Sequence, residues 1–154
     1  DNFESLGDTM PDGFHYSGWY WPDAYGTDEN QEFVDLYQDT YSDDDNITDY
    51  PTFTGGSTWA AIQIYADAIE ETGSTEPEDI IDFMEGYTLE DDPRGSITLD
   101  PDSHQANASV VIGESSQDAE VPYEGAGMVN TEEYQITRDE ALDLLEGSGL
   151  PPGM

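Results

Sequence analysis

Four short stretches of the sequence carry residue types that could do chemistry. In "SGWYWPD", Trp19, Tyr20 and Trp21 stand between Gly18 and Pro22. Adjacent aromatics fixed by a glycine and a proline suit a pocket wall, because such walls are mostly apolar and aromatic. They also suit packing against another part of the fold. In "DDDNITD", Asp43, Asp45 and Asp49 set oxygen donors at alternating positions, as calcium loops do. The stretch lacks the mid-loop glycine and the closing glutamate, so a solvated acidic loop is the better reading, and no metal is expected. "GESSQ" over 113–117 lacks the second glycine of a nucleophile elbow. Asn46-Ile47-Thr48 and Asn107-Ala108-Ser109 match the glycosylation sequon at Asn46 and Asn107, a pattern that chance also produces. No His-Glu-x-x-His occurs. His15 and His104 lie far apart in the chain, and His104, after "DPDS", reads first as a turn residue. Carboxylate pairs, elsewhere a sign of acid–base chemistry, are too common here to point anywhere. The expectation is therefore no enzyme and no cofactor.

That abundance of carboxylates is itself informative. The 154 residues include 37 Asp and Glu against two basic residues, Arg94 and Arg138, for a formal charge of −35. Charge of that size often means disorder, but 12% of the residues are aromatic, and Trp, Tyr, Phe and Ile recur at regular spacings. Such a chain can bury a core. In dilute buffer it repels itself; in molar salt the Debye length falls to about 3 Å and the repulsion is screened. Absence of lysine with acids spread along the chain is the composition of a halophile's surface. Nucleic acid is not an expected partner, because its phosphates would be repelled, and anionic membrane surfaces are disfavoured for the same reason. There is no cysteine, hence no disulfide and no thiol chemistry. No apolar stretch reaches the length of a membrane span. The chain opens on Asp1 without a recognisable signal peptide, which reads as a mature, truncated or incompletely represented product.

The elements that must position the aromatic trio follow from hydrophobic period and end signals. Residues 1–13 are polar and turn-rich, a linker or upstream remnant. "FHYSGWYWPDAY" reads as a strand entering an exposed aromatic loop. A first helix starts at the N-cap Thr27, with Asp28 and Glu29 where the dipole favours acids and Phe33, Leu36, Tyr37 and Tyr41 on one stripe. A second helix is expected from about Ser57 to the C′ residue Gly73; Trp59, Ile62, Ala66 and Ile69 share one face, while Ala61, Ile64, Tyr65 and Ala68 fill much of the rest. A helix apolar on two sides packs on two sides. A third helix follows a Thr75/Glu78 capping box with Pro77 in its first turn, Ile80, Ile81 and Met84 facing inward and Gly86 ending it. "SITLD" (96–100) and "ASVVIGE" (108–114) read as strands, with a further extended piece spanning "MVN" to "EYQI". Thr137 and Glu140 open a last helix with Ala141, Leu142 and Leu145 inward. Alternation of helices and strands gives an α/β class, yet the strands are too few to cover the second helix.

The order of these pieces resembles the C-terminal third of the type I extracytoplasmic solute-binding proteins, which serve ABC importers for branched-chain amino acids, urea and short amides. The residues carrying the resemblance are Phe33, Val34, Tyr37 and Tyr41; Tyr65, Ala66, Ala68 and Ile69; Gly73, Ser74, Thr75, Pro77 and Glu78; then Pro93, Gly95, Ile97, Asp100, Asp102 and His104. The resemblance covers about residues 14–114 and leaves 115–154 as a C-terminal extension. It implies an α/β fragment of a two-lobe periplasmic-binding fold, with the missing strands supplied by the N-terminal portion of the same protein or by another chain. It further implies a small polar ligand, an ABC permease as partner, and a location outside the cell on the outer face of the cytoplasmic membrane, in a halophilic archaeon. By the same resemblance Trp19, Tyr20 and Trp21 follow a strand crossing between lobes and face the cleft, and His104 matches a histidine of urea- and amide-type members. Two other readings fit the acidic surface: a cell-surface structural or assembly protein reusing the fold, and a receptor's ligand-sensing domain, which would need an anchor.

Overall fold

The computed structural model describes residues 9–41, 43, 47, 50–108, 110–118, 127–129, 140, 143, 144 and 147. The strand expected at the aromatic segment is β1 (His15–Gly18), followed by a 3₁₀ turn at Pro22–Ala24. Helix α1 runs Asp28–Tyr41. Thr27 caps it as expected: its Oγ1 accepts the Asn30 N–H at 3.1 Å and donates to the Pro93 carbonyl at 3.3 Å. The buried side of α1 is Asn30, Phe33 and Val34. Leu36 and Tyr41, on the same stripe as Phe33, are exposed.

Helix α2 spans Phe53–Thr72, starting four residues earlier than the sequence suggested. Gly55 and Gly56 look like a boundary, but Thr52 caps the helix from outside by accepting the Gly55 N–H, and both glycines are helical. Gly56 is there for proximity. A Cβ on it would lie 2.7 Å from Cγ of Tyr20, whose ring crosses the helix at that point. The far end matches expectation, with Gly73 left-handed at φ 64° and its N–H bonded to Ile69 O.

Helix α3 runs Pro77–Met84 with Pro77 at its start, but Thr75 is not its cap. Glu76 holds that position, without a side-chain bond. The Ser74 and Thr72 hydroxyls are instead used one after the other along the connection, Ser74 Oγ accepting from Glu76 N and Thr72 Oγ1 from Ser74 N. Ile80 is buried, whereas Ile81, expected inward, is about half exposed.

Two short strands follow, β2 (Thr88–Leu89) and β3 (Ile97–Thr98), then β4 (Val111–Ser116) and β5 (Gly127–Val129). The expected strands 96–100 and 108–114 do not share a sheet. β3 pairs antiparallel with β2, while β4 sits between β1 and β5 in a three-stranded antiparallel sheet of order β1-β4-β5. β2 carries no strand signal of its own; it is fixed by the Thr88–Thr98 hydroxyl pair at 2.8 Å across the ribbon. Of the C-terminal helix, residues 140, 143, 144 and 147 are described and helical, with Leu144 exposed; Thr137, Ala141, Leu142 and Leu145 lie outside the described residues. No helix among the described residues is long and apolar enough to cross a membrane.

The core has two parts that meet at α2. Met10, Tyr20, Trp21, Ala24, Tyr25, Phe33 and Val111 form one, with Tyr16 and Trp59 packed on it. Ala60, Ile64, Leu89 and Ile97 form the other. The second part is tied to α2 by Tyr87, whose hydroxyl donates to Asp67 Oδ2 at 2.6 Å. That bond, then burial, then the charges of Asp67, Glu90 and Asp91 push the Tyr87 pKa up to about 12. The sign follows from linkage: the unfolded chain releases this proton near pH 10 and the folded one near 12, so stability is untouched below pH 10 and falls between them. Urea melts between pH 9 and 12 should show a steeper alkaline loss for the native protein than for Tyr87→Phe. Equal slopes would show that the bond does not persist in solution.

Candidate ligand-binding surface

The structure divides the aromatic trio. Tyr20 is fully buried and Trp21 nearly so, which corrects the expectation of an exposed aromatic loop. The cause is a polar hub. Asn30, itself buried, accepts the Tyr20 hydroxyl on Oδ1 at 2.9 Å and donates through Nδ2 to the carbonyls of Pro22 and Tyr25 at 2.7 and 2.8 Å. Those three bonds fold the chain back on itself, so Tyr20 stacks on Tyr25 (5.9 Å, 11°) and meets Phe33 edge-on (5.7 Å, 72°). A buried amide with its partners in place fixes a single loop conformation. Trp21 packs edge-on against Tyr16.

Trp19 alone of the three reaches solvent, at 53% exposure. Its ring meets Phe53 edge-on at 6.4 Å and forms one wall of a concavity of about 500 Å³. The opposite walls are Ser57, Ala60 and Ile64 of α2, and Ile97 with Leu99 at β3. Its single charged lining residue is Arg94. The turn Asp92-Pro93-Arg94-Gly95 is closed by the Gly95 N–H on Asp92 O at 2.8 Å. Across it Arg94 Nε and Nη2 grip Asp92 Oδ1 and Oδ2 at 2.7 and 3.2 Å, and the Arg94 N–H adds a third bond to Oδ1 at 3.0 Å. Both side chains are nearly excluded from water. Because the guanidinium is already held in a two-pronged pair, the concavity is an apolar surface with one neutralised cation at its edge rather than an anion site. It can take a small solute with an apolar body against Trp19.

The other sequence candidates fall elsewhere. Asp43 is exposed, while Asp45, Asp49 and Asn46 lie outside the described residues. No group of three or more potential ligands among the described residues is placed to hold a metal ion. Asn107 is half-buried, its N–H bonded to Thr98 O. His104 sits in the left-handed region at φ 56°, a turn residue as read. Its Nε2 lies 3.1 Å from Glu85 Oε1, and both side chains are exposed. Asn30, Gly56 and the Asp92–Arg94 pair escaped sequence reading. The last had a usable signal, since one of only two cations stands two residues from an aspartate across a proline.

The strand and aromatic loop lead through α1 into the long apolar α2, with the short α3 and a Pro/Gly turn behind it, an α/β arrangement. The family pattern of the periplasmic binding proteins matches residues 3–120, and the chain belongs to that family. Solved structures agree on the fold. The amino acid ABC transporter substrate-binding protein of Pseudomonas fluorescens Pf-5 is 24% identical, with a TM-score of 0.69, over 84% of this chain and 33% of that one. The leucine-, isoleucine-, valine-, threonine- and alanine-binding protein of Brucella ovis, in a closed conformation, is 19% identical with a TM-score of 0.67, over 83% and 32%. A solute-binding protein of an ABC transporter from Rhodopseudomonas palustris BisB5, in complex with 3,4-dihydroxybenzoic acid, is 23% identical with a TM-score of 0.63, over 82% and 33%. The chain thus spans about a third of the length of these structures. A comparison with curated protein sequences finds no match.

Proposed function

We propose that the chain is the C-terminal portion of an extracytoplasmic solute-binding protein of an ABC importer, from a halophilic archaeon. The observation that carries this reading is the family match over residues 3–120, a span that holds α1, the apolar α2, the short α3 and the Pro/Gly turn in that order. Residues 14–114 contribute to the two-lobe fold, 1–13 lead into it and 115–154 extend it. The remaining lobe structure comes from the N-terminal portion of the same protein or from another chain, and the closed form docks on a permease at the outer face of the membrane. Binding is non-covalent. Trp19 contributes a wall of the solute site, and Tyr20 and Trp21 hold its loop in place from below. The charge of −35 favours a molar-salt environment, where repulsion is screened.

The expected result is saturable one-to-one binding of one solute by the full-length parent in molar KCl, measured by calorimetry against branched-chain amino acids, urea, short amides and 3,4-dihydroxybenzoic acid. Trp19→Ala should weaken it at least tenfold. Silence across the whole panel in molar salt would remove the transport reading and favour a surface structural role, for which ordered polymers in electron micrographs would be the sign.

A further inference from the structure

The segment after β3 folds back to widen the β2–β3 ribbon. Thr88 pairs with Thr98 and Leu89 with Ile97, and on the other edge of β3 Leu99 bridges Ala106 antiparallel. The Asn107 N–H then donates to the Thr98 carbonyl at 2.8 Å, so Asn107 stands opposite Thr98 in the same register. Side chains alternate along a strand, and residues directly opposite each other share a face. Ile97, Leu99, Ala106 and Ala108 all line the concavity that Trp19 walls. The residues between them point the other way. Thr88, Thr98 and Asn107 therefore form one polar row on the outer face of the ribbon, with the two threonine hydroxyls 2.8 Å apart. All three side chains are half-buried.

Asn107-Ala108-Ser109 is the acceptor pattern for an N-linked sugar, its middle residue not proline. The pattern alone arises by chance; its placement narrows the reading. An asparagine at position 106 or 108 would aim a bulky group into the concavity. At 107 the amide leaves on the side away from it. The approach is open, since every residue from Pro101 to Ala106 is exposed. The surroundings also suit a sugar. Residues 103–113 hold no carboxylate, in a chain of net charge −35, and the polar groups in register with the amide are threonine hydroxyls, which a sugar's own hydroxyls can pair with.

We infer that Asn107 is an N-glycosylation site, loaded outside the cell from a lipid-linked sugar phosphate. In that step Nδ2 of Asn107 attacks C1 of the donor sugar. The Nδ2–C1 bond forms as the C1–O bond to phosphate breaks, the lipid phosphate leaves with the electron pair, and one amide proton passes to a base of the transferase. Nothing is oxidised or reduced. A glycan is bulky and solubilising and belongs on a surface; this one lies clear of the concavity. The inference rests on the extracytoplasmic location of the periplasmic binding proteins and not on which solute is bound.

The test uses the full-length parent made in its own organism and recovered from the cell surface. Arg94 and Arg138 are the only basic residues of this chain, so trypsin acting on the denatured protein releases 95–138 as one peptide with a single acceptor pattern. Asn46 falls on the peptide before it. Mass spectrometry should find 95–138 heavier by a whole number of sugar residues. Asn107→Gln and Ser109→Ala should each remove the added mass, and Ser109→Thr should keep it. Ser109→Ala retains the asparagine, so the comparison survives even where Asn107→Gln fails to fold. A parent peptide at its bare sequence mass overturns the inference. So does added mass that persists in Asn107→Gln or Ser109→Ala, or that sits on the Asn46 peptide alone. Absence of solute binding with the glycan in place counts against the transport reading alone; a bare peptide in a parent that binds solute counts against this inference alone.

Discussion

Asp92→Ala is expected to destabilise the fold by about 3–5 kcal/mol, the loss typical of leaving one partner of a buried ion pair behind. The reason is local and complete. Asp92 is fully buried and receives both prongs of Arg94 and its N–H, so truncation strands a guanidinium that water barely reaches. Molar salt will not rescue it, because buried pairs are screened far less than exposed ones. Removing both charges together, in Asp92→Leu/Arg94→Met, should recover most of the loss, since well-packed apolar replacements of a buried pair are often neutral. Thermal or urea melts of the two single variants and the double one form the cycle. If Asp92→Ala melts within about 0.5 kcal/mol of the native protein, the pair is open to solvent and the account given for this turn is wrong.

Two adjacent glycines should respond with opposite signs. Gly56→Ala places a Cβ 2.7 Å from Cγ of Tyr20 and 3.0 Å from its Cβ and Cδ2. The ring has nowhere to go, being stacked on Tyr25, edge-on to Phe33 and hydrogen-bonded to Asn30. Overpacking of this kind costs about 1–3 kcal/mol, and replacing a helical glycine returns only about 1 kcal/mol, so the clash wins. At Gly55 the nearest atom, Pro51 Cβ, is 3.6 Å away, an ordinary contact, and Gly55→Ala should gain up to about 1 kcal/mol. Denaturant midpoints that rank Gly55→Ala above native and Gly56→Ala below it would support the close approach. The reverse order would sink it.

Those two glycines also show where sequence reading stops. A Gly-Gly pair before an apolar run is a sound sign of a boundary if only neighbours in the chain are known. Its true cause here is Tyr20, some 36 positions away, which periodicity cannot see. The same holds for strands: "SITLD" and "ASVVIGE" were visible as extended segments, but their partners lie at β2 and β1, and pairing is a tertiary choice. Helix ends were legible where the signal is chemical and local, as with Thr27 and Gly73. They failed at Thr75, where the hydroxyls of Ser74 and Thr72 take over the connection. The alternation of helices and strands conveyed the α/β class, and the order of motifs conveyed the family resemblance. The exposure of Trp19 and burial of Tyr20 it could not convey, because three consecutive aromatics look alike until Asn30 folds the loop that separates them.

The pairing of β1 with β4 bears on how the molecule is made. Phe14 and Ser115, bonded through the Ser115 hydroxyl, stand 101 residues apart, and the strand register on either side depends on the same closure. During synthesis at about 5–20 residues per second, β1 and the aromatic segment behind it leave the ribosome many seconds before the strand that completes their sheet. Local helices form in microseconds, so α1, α2 and α3 are expected to be in place while β1 still waits. Contacts this distant come late and slow the folding of the whole. Val111, which closes the cluster of Met10, Tyr20 and Trp21, arrives only with β4, so the aromatic core is sealed from its C-terminal side, last.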